Sequence, residues 1–446
     1  MASKRFDRGR IDSLGASLDA QFGTLAGFGR DPGAGVGPGA SPIEFVRAPG
    51  IVNLMGDHTD YNDGFVLSAA VELETWIAFR RRTDGRVRVA TRASSGVGSF
   101  RINELDPARE ARDPGGRAGG GVGAATSAAP GWSDYVAATA WSLREAALPI
   151  RGFDGFIDST IPAGAGFSSS AAVELAAAMA LLDGVSPSSP ALAALAQRGE
   201  RDYLGIDCGI VDQFVGAGGC EGRALMLDCR SLDARYVTLP FGIRLVICEP
   251  GDGEGPWVAM KRAASGPNTA AVPGNSTYDT RRAECARAIA LLSERMPGLT
   301  SMRDLDAGAL RRHRSLLPEN VARRAEHVVS ENVRVVAAAA ALEAGDLDEL
   351  GRLFAESHAS LRDRYEVSSP ALDAMVEVAS AIPGVVASRM TGPGPGGCTV
   401  NLVLADAVPA LQAAVDREYT RLTGLNGHVY PVEVVDGAGR VNSAAG

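Results

Sequence analysis

Lysine is almost absent from this sequence. Of its 44 basic residues, only Lys4 and Lys261 are lysines, and the others are arginines. A Walker-type phosphate loop needs Gly-Lys-Ser/Thr, a protein kinase needs a strand lysine behind its glycine-rich loop, and a pyridoxal phosphate enzyme needs a Schiff-base lysine. Neither lysine has the neighbours that these sites require. The sequence therefore argues against all three classes.

The patterns of a zinc enzyme, a secreted protein and a membrane protein are also missing. The six cysteines form no C-x-x-C pair, and the five histidines form no H-E-x-x-H pair. No apolar run reaches the roughly 18 residues that cross a bilayer, and the N-terminus has no apolar core of a secretory signal. We therefore predict a soluble cytoplasmic protein with reduced thiols and no membrane partner.

Acidic residues outnumber basic ones by 53 to 44, which gives a net charge of −9. This balance argues against a broad nucleic-acid-binding surface, but it allows a local pocket for phosphate. The chain has 446 residues, of which 46% are hydrophobic, enough for two or three domains with buried cores. Stretches rich in glycine, alanine or proline, or with weak patterning, are predicted to be loops: 25–40, 113–131 and 251–276.

Strand-like and helical patterns are mixed rather than strictly alternating, which favours an α+β fold over a doubly wound sheet. We predict an N-terminal segment at 1–42, an N-terminal domain at 43–240 and a C-terminal domain at 241–446. Short strands are predicted at 43–47, 65–68, 73–79, 86–91, 152–158, 385–389, 398–404 and 428–434. Helices are predicted at 132–147, 346–361, 370–382 and 407–423.

Another helix is indicated by an apolar repeat in the C-terminal half. Val321, Ala325, Val329, Val333 and Val336 recur at three- and four-residue spacing. Residues with this spacing lie on one side of a helix, so the pattern predicts a single buried face.

The first segment that carries chemistry is APGIVNLMGDHTDYNDGFVL, residues 48–67, called the sugar motif below. Asp57, His58, Thr59 and Asp60 crowd hydrogen-bonding side chains into one turn. A sugar presents several hydroxyls, each a donor and an acceptor, and carboxylates accept well from vicinal hydroxyls. The turn therefore suits a sugar site, although the same residues also suit a polar β-turn.

The second segment is PAGAGFSSSAA, residues 162–172, called the phosphate loop. Its glycines permit a tight turn, and its serines begin a helix whose free N–H groups attract anions. We predict contacts to a phosphate from the residues of this turn: Gly164, Ala165, Gly166, Phe167, Ser168, Ser169 and Ser170. Ser170 is positioned for a magnesium ion. An ordinary serine-capped helix has the same pattern.

The third segment is RMTGPGPGGCTV, residues 389–400, called the third motif. Its glycines separate two strand-like runs, which also fits a flexible hairpin. In this order the three segments resemble the motifs of the GHMP family of small-molecule kinases, and galactokinases resemble them most. The resemblance runs from about residue 43 to 435. It implies a two-lobed α+β fold with the active site in the cleft between the lobes.

The same resemblance implies a reaction. ATP, with Mg²⁺, would phosphorylate the C1 hydroxyl of a monosaccharide, with galactose as the leading candidate. Asp212, in CGIVDQF, would be the base that takes the hydroxyl proton, although a buried Asp that caps a helix has the same neighbours. Ser170 and Glu200 would hold Mg²⁺. The residues implied to contact the sugar are Asp57, His58, Thr59, Asp60, Gly209 and Tyr278.

The sequence departs from the family pattern at this site. Ile51 stands where galactokinases have an arginine next to the base, and Asp57 stands where they have a glutamate. Pro393 and Pro395 each remove a backbone N–H near the phosphates. Loss of a cation from phosphoryl transfer can cost on the order of 10²- to 10³-fold in rate.

Two alternatives to a galactokinase therefore stay open. One is a kinase for another sugar, such as arabinose or an N-acetylhexosamine, which Asp57 favours. The other is a catalytically weak sensor that binds sugar and ATP, which Ile51 favours. The joint presence of Asp212, Ser170 and Glu200 favours catalysis, because a binding module needs no base.

Overall fold

The computed structural model describes residues 8–23, 42–107, 131–162, 167–251, 277–392, 394 and 397–441. The α-helices in these ranges are α1 (Arg8–Phe22), α2 (Trp132–Glu145), α3 (Ser169–Leu181), α4 (Ser189–Arg198), α5 (Val211–Gly218), α6 (Thr277–Ser293), α7 (Ala307–His313), α8 (Glu319–Ala344), α9 (Leu347–Ser360), α10 (Pro370–Ser380), α11 (Val408–Ala414) and α12 (Thr420–Thr423). The strands are β1 (Glu44–Met55), β2 (Phe65–Arg81), β3 (Arg86–Thr91), β4 (Ser94–Arg101), β5 (Phe153–Ser159), β6 (Arg223–Asp228), β7 (Ala234–Thr238), β8 (Ile243–Glu249), β9 (Val385–Thr391), β10 (Cys398–Leu404), β11 (His428–Val432) and β12 (Gly439–Val441).

Several predictions fall outside the described residues. These are the loops at 25–40 and, apart from Gly131 and Gly251, those at 113–131 and 251–276. The same holds for 164–166 of the phosphate loop and for Pro393 and Pro395 of the third motif. Within the described ranges, no helix is long and apolar enough to cross a membrane, and all six cysteines carry free thiols.

The larger sheet has the strand order β12-β1-β2-β5-β3-β4, and β6 and β7 extend it beside the first residues of β2. Its pairs are antiparallel except for β3 with β5. Phe45 packs in the cluster under α1, whereas its neighbour Val46 packs with α2 and α3. Because both faces are covered, β2 is apolar along most of its 17 residues. The structure therefore has one long strand where the sequence predicted two short ones at 65–68 and 73–79.

The smaller sheet is antiparallel, with the order β11-β8-β10-β9. Val246 and Cys248 of β8 face α10 and α11, whereas Leu245 and Ile247 face the core shared with α9. The mixture of helices with two mainly antiparallel sheets confirms the α+β prediction. The proposed division at residue 240 stays a prediction, since β12 returns to pair with β1 in the larger sheet.

The predicted buried face of α8 was partly wrong. Val321, Ala325 and Val329 are buried, but Val333 is 66% exposed and Val336 is 43% exposed. Each four-residue step advances about 40° beyond a full turn of the helix, so repeated steps of four leave the buried side. The stripe that is buried continues through Val328, Asn332, Val335, Ala339 and Leu342.

Gly56 brings the sugar motif close to α8. Its φ is 101°, and a Cβ at this position would lie 2.6 Å from the carbonyl oxygen of Phe65 and 2.9 Å from Val335. No L-residue with a side chain fits this turn without a shift of the backbone. The turn of residues 57–60 therefore packs directly against α8.

Candidate active site

A cavity of about 650 Å³ opens where the described parts of the three motifs meet. Its walls come from the turn after β1, the starts of α3, α5 and α6, and the end of β9. The predicted site residues that line it are Asp57, His58, Asp60, Ser168, Ser170, Glu200, Gly209, Asp212 and Tyr278. Thr59, Phe167 and Ser169 lie outside its lining.

Thr59 closes the turn of the sugar motif instead of facing the cavity. Its hydroxyl lies 2.7 Å from the carbonyl oxygen of Gly56 and 2.6 Å from that of Phe65, and the residue is fully buried. The Asn62 amide donates to the carbonyl of His58 (2.9 Å). These bonds hold His58 in a left-handed backbone conformation, with φ of 65°.

Asp57 forms a buried ion pair with Arg389 of β9. Its other carboxylate oxygen accepts from the backbone N–H of Gly392 (3.1 Å), and Arg389 also donates to the carbonyl of Leu54 (2.7 Å). Burial raises the pKa of Asp57, whereas Arg389 lowers it. Both oxygens of Asp57 therefore bind groups of the third motif, although the residue still lines the cavity.

His58 packs against the rings of Tyr365 and Tyr278, with centroids 4.6 and 5.9 Å away. Its Nδ1 hydrogen-bonds the Tyr61 hydroxyl at 3.0 Å. Burial, and next the neighbouring His327, lowers the pKa of His58 to about 3, so the ring is neutral at physiological pH. Its Nε2 is buried without a hydrogen-bond partner among the described residues, which leaves this nitrogen available to a ligand.

Asp60 and Gly209 touch across the cavity wall. A Cβ at position 209 would lie 2.2 Å from the Asp60 carboxylate, so this approach requires glycine. Burial raises the pKa of Asp60 to about 6; the backbone N–H of Tyr61 opposes the rise, and the Asp212 carboxylate adds to it.

Asp212 lies in the first turn of α5 and accepts a hydrogen bond from the Ser168 side chain. Asp212 is exposed to the cavity, but the surrounding protein desolvates its carboxyl group and raises its pKa; the Ser168 bond lowers the pKa, and the Asp57 carboxylate raises it. Among the described residues that line the cavity, none is a lysine or an arginine. Within the described part of the cavity wall, Asp212 therefore has no cationic neighbour.

Ile51 lines the cavity with hydrocarbon. The residue is 2% exposed and packs with Ala171 and Phe214 in a small apolar cluster. Its backbone N–H donates to the carbonyl of Phe167 (3.1 Å), which joins the sugar motif to the phosphate loop. The Phe167 ring is itself buried, edge-on to Tyr430.

Ser168 precedes α3 in a left-handed conformation, with φ of 57°. Ser168 and Ser170 line the cavity at the N-terminus of this 13-residue helix, where backbone N–H groups are unpaired and favour an anion. Glu200 also lines the cavity and lies on a π-helical turn, Gly199–Tyr203, that continues α4. Turns of this kind are frequent at functional sites.

Sequence reasoning missed a buried side-chain amide that joins two carboxyl groups, one of them that of Glu200. Gln213 donates through its Nε2 to Glu200 (2.8 Å) and to Glu174 (3.2 Å). Burial raises the pKa of both carboxyl groups. The signals were present, since Gln213 follows Asp212 directly and Glu174 lies one helical turn after Ser170. Thr391, which donates to the carbonyl of Asn53 (2.8 Å), was missed as well.

Sequence comparisons agree with this geometry. The galactokinase galactose-binding signature matches residues 38–81, and the GHMP kinase N-terminal and C-terminal domains match 134–219 and 338–421. The galactokinase of Roseiflexus sp. (strain RS-1) is 39% identical over 405 residues, which cover 90% of this chain and 94% of that protein. This chain belongs to the galactokinase family. The galactokinase of Chloroflexus aurantiacus is 40% identical over 403 residues, with the same two coverages.

Solved structures agree with this family assignment. Lactococcus lactis galactokinase in complex with galactose superposes with a TM-score of 0.80 at 29% identity, covering 97% of this chain and 100% of that one. The mevalonate kinase of Methanococcus jannaschii, at 15% identity and a TM-score of 0.56, covers 89% of this chain and 99% of that one and shares the fold. The chain is therefore a sugar kinase with the two-lobed GHMP architecture.

Proposed function

We propose that this chain transfers the γ-phosphoryl group of ATP to the C1 hydroxyl of galactose, giving galactose 1-phosphate and ADP. The observation that carries the proposal is the convergence of Asp212, the N-terminus of α3 and the sugar motif on one cavity. A cavity of about 650 Å³ falls within the range of small-molecule sites.

Asp212 acts as the general base. Its raised pKa makes the carboxylate a stronger proton acceptor than an ordinary aspartate. The Ser168 side chain holds one carboxylate oxygen, so that the other can accept the C1 hydroxyl proton. His58, Asp60, Gly209 and Tyr278 contact the sugar in this proposal and orient that hydroxyl toward the base.

Ser170 and Glu200 would hold the magnesium ion. Both present oxygen atoms to the cavity, which are the ligands that Mg²⁺ prefers. The described residues contain no group of three or more His, Cys, Asp or Glu that could hold a metal ion. In this proposal the Ser170 hydroxyl, the Glu200 carboxylate, water and the ATP phosphates would hold it together. When bound, Mg²⁺ supplies positive charge to the phosphate oxygens during transfer.

The cytoplasm is the location that we propose, since it supplies ATP and keeps thiols reduced, and all six cysteines carry free thiols. Two observations favour the alternatives. Asp57 is engaged by Arg389, which favours a different sugar preference. The cavity lining lacks a described cation, which favours a weak enzyme or a sensor.

The test is an assay of ADP release over galactose, arabinose and N-acetylgalactosamine, with sugar binding and ATP binding measured by calorimetry. We expect the highest kcat/KM with galactose, and a product phosphorylated at C1 by ³¹P NMR. Turnover with another sugar and none with galactose would contradict the galactose assignment. Tight binding of both ligands without any product would identify a sensor instead.

A further inference from the structure

A buried side-chain amide joins two carboxyl groups beside α3. Gln213, in the first turn of α5, donates through Nε2 to Glu200 (2.8 Å) and to Glu174 of α3 (3.2 Å). These three residues are called the amide bridge below. Gln213 is 2% exposed, Glu200 is 5% exposed and Glu174 is 0% exposed. Because Gln213 and Glu200 line the cavity and Glu174 does not, the amide bridge runs from the cavity wall into the core.

The geometry of the amide bridge favours one orientation of Gln213. An amide NH₂ group has two hydrogens, and both are used when its nitrogen donates to two carboxyl groups. If the amide were turned the other way, its oxygen would lie 2.8 Å from the Glu200 carboxylate, and two acceptors would meet. Glu174 thus supports the direction of the amide, and the amide holds one oxygen of Glu200.

Glu174 differs from the residues around it. The other buried residues of α3 are alanines and leucines. Glu174 accepts from Gln213 through one oxygen, and its Oε1 is buried without a partner among the described residues. A buried carboxyl group with so few hydrogen bonds costs stability, whereas an apolar side chain of the same size would pack there without that cost. Packing does not explain why α3 carries a carboxyl group at this position, but the contact with Gln213 does.

The backbone at Glu200 is held separately from its side chain. Its π-helical turn packs directly against α2, since a Cβ at Gly199 would lie 2.8 Å from the carbonyl oxygen of Ala138. The side chain still has several rotatable bonds, and its end is held by hydrogen bonds from Gln213 and from the Cys208 side chain. A thiol is a weak donor, so the amide of Gln213 is the stronger of the two.

We propose that Gln213 and Glu174 are positioning residues for the magnesium site: Gln213 holds the Glu200 carboxylate at the cavity wall, and Glu174 holds the amide of Gln213. That Glu200 binds Mg²⁺ rests on the proposed function. Mg²⁺ demands near-ideal octahedral geometry, so a ligand that is already held in place binds it better than a free side chain. Loss of a neighbour that orients a metal ligand typically costs about 10- to 100-fold in metal affinity or activity.

The test measures binding and not turnover. AMP-PNP, an ATP analogue that is not hydrolysed, is titrated into the full chain by calorimetry, with and without Mg²⁺ and without sugar. The Mg²⁺ effect is the ratio of the two dissociation constants. We expect it to fall about tenfold in Gln213→Met, which keeps the length of the side chain and removes its donors. Gln412→Met, at an exposed glutamine of α11 bonded to Asp416, is the control and should keep the native Mg²⁺ effect.

Glu174 offers a pair of variants that separates positioning from general damage to the fold. Glu174→Gln keeps an acceptor for the amide, whereas Glu174→Met removes it and fills the same space. We expect the glutamine variant to stay within about twofold of the native Mg²⁺ effect and the methionine variant to lose about tenfold, with the affinity measured without Mg²⁺ changed less than about twofold in both. Equal Mg²⁺ effects in the two variants, or an equal loss of affinity with and without Mg²⁺, would overturn the proposal.

A double variant tests whether Gln213 acts through Glu200. Glu200→Gln removes the charge of the ligand, and we expect its Mg²⁺ effect to be at least as low as that of Gln213→Met. When Gln213→Met is added to Glu200→Gln, the Mg²⁺ effect should change less than about twofold, because the residue that Gln213 positions no longer binds the ion. Losses that multiply in the double variant would overturn the proposal.

The same measurements separate this inference from the proposed function. If the native chain showed no Mg²⁺ effect, or if Glu200→Gln kept the native one, the proposed magnesium site would be wrong and the inference would be wrong with it. If the native chain showed a Mg²⁺ effect that Glu200→Gln lost and Gln213→Met kept, the magnesium site would stand and the inference would be overturned.

Discussion

Asp57 and Asp212 line the same cavity, yet the protein surrounds them differently. Asp57 faces Arg389, and behind it Glu331 pairs with Arg334 and accepts from the backbone N–H of Gly56 (3.1 Å). The charges of Asp57 and Glu331 at this sugar end therefore have buried partners within the protein. Such a site is organised before any ligand arrives, since its ion pairs hold the turn in place.

The other end of the cavity is formed by Asp212, Glu200 and the start of α3, and it is called the phosphate end below. Its charges are arranged differently. Asp212 and Glu200 receive hydrogen bonds from Ser168 and Gln213, but no described lysine or arginine lines the wall beside them. Among the described lining residues, hydrogen bonds and not cations face the carboxylates at this end. In the proposed function, the fixed ion pair of Asp57 and Arg389 lies beside the neutral sugar, and the charge balance at the other end falls to the cosubstrate.

The largest expected effect comes from breaking the ion pair at the sugar end. Arg389→Leu leaves the Asp57 carboxylate buried without its counter-ion. We expect the free energy of unfolding to fall by about 3–5 kcal/mol in a urea titration. Arg352→Leu, which removes a half-exposed arginine bonded to Glu349, is the control and should change stability by less than about 0.5 kcal/mol. Equal losses of stability in the two variants would mean that the ion pair of Asp57 and Arg389 does not stabilise the sugar end.

At the phosphate end, Asp212→Asn keeps the shape of the side chain and removes the base. We expect kcat to fall by about 10²-fold or more, with the KM for ATP little changed, in steady-state kinetics with galactose. Asp202→Asn, at an exposed aspartate paired with Arg198, is the control. If kcat stayed at its native value, Asp212 would be structural and the transfer would need no base there.

The smallest expected effect comes from placing a positive charge at the phosphate end. Ile51→Arg places a cation on the wall near Asp212, and we expect kcat to rise at least tenfold, about 1.4 kcal/mol of transition-state stabilisation. A nearby positive charge lowers the pKa of a carboxyl group, so Asp212 stays ionised to lower pH. The acid limb of the pH–rate profile should therefore move to lower pH.

Ile51→Met is the control for this gain, because it adds length without charge. The measurement is kcat against pH for the native chain and both variants. A native rate and an unmoved acid limb in Ile51→Arg would show that Ile51 is not a missing catalytic part. The contrast between the two ends would then have no bearing on the rate.

The three motifs were sufficient to predict the fold and most of the cavity wall. Each motif lies at a turn next to a buried strand or at a helix N-terminus. The spacing of its residues in the sequence therefore determines how they are arranged in the structure. Asp212, Ser170 and Glu200 line one cavity, as the family resemblance implied. Their chemical roles stay predictions.

Residues outside the motifs were harder to predict because tertiary contacts decide their environment. Nothing near Tyr365 in the sequence marks its bond to Tyr61, which lies 304 positions away. The pairing of Asp57 with Arg389 joins two motifs that sequence reasoning treated separately. The exposed Val333 and Val336 show the converse case, since apolar residues with regular spacing need not be buried.

The return of β12 to the larger sheet has a consequence for the order in which the chain folds. Gly439–Val441 pairs with β1, and Arg440 forms an ion pair with Glu44, 396 positions earlier. Just before this strand, the N–H of Ala438 donates to the carbonyl of Gly216 on α5, the helix that begins beside Asp212. During synthesis, the larger sheet and α5 therefore complete these contacts only after residue 441 has been made. Contacts so distant in sequence form late and slowly, so we expect the larger sheet to be completed only after all strands of the smaller sheet have been translated.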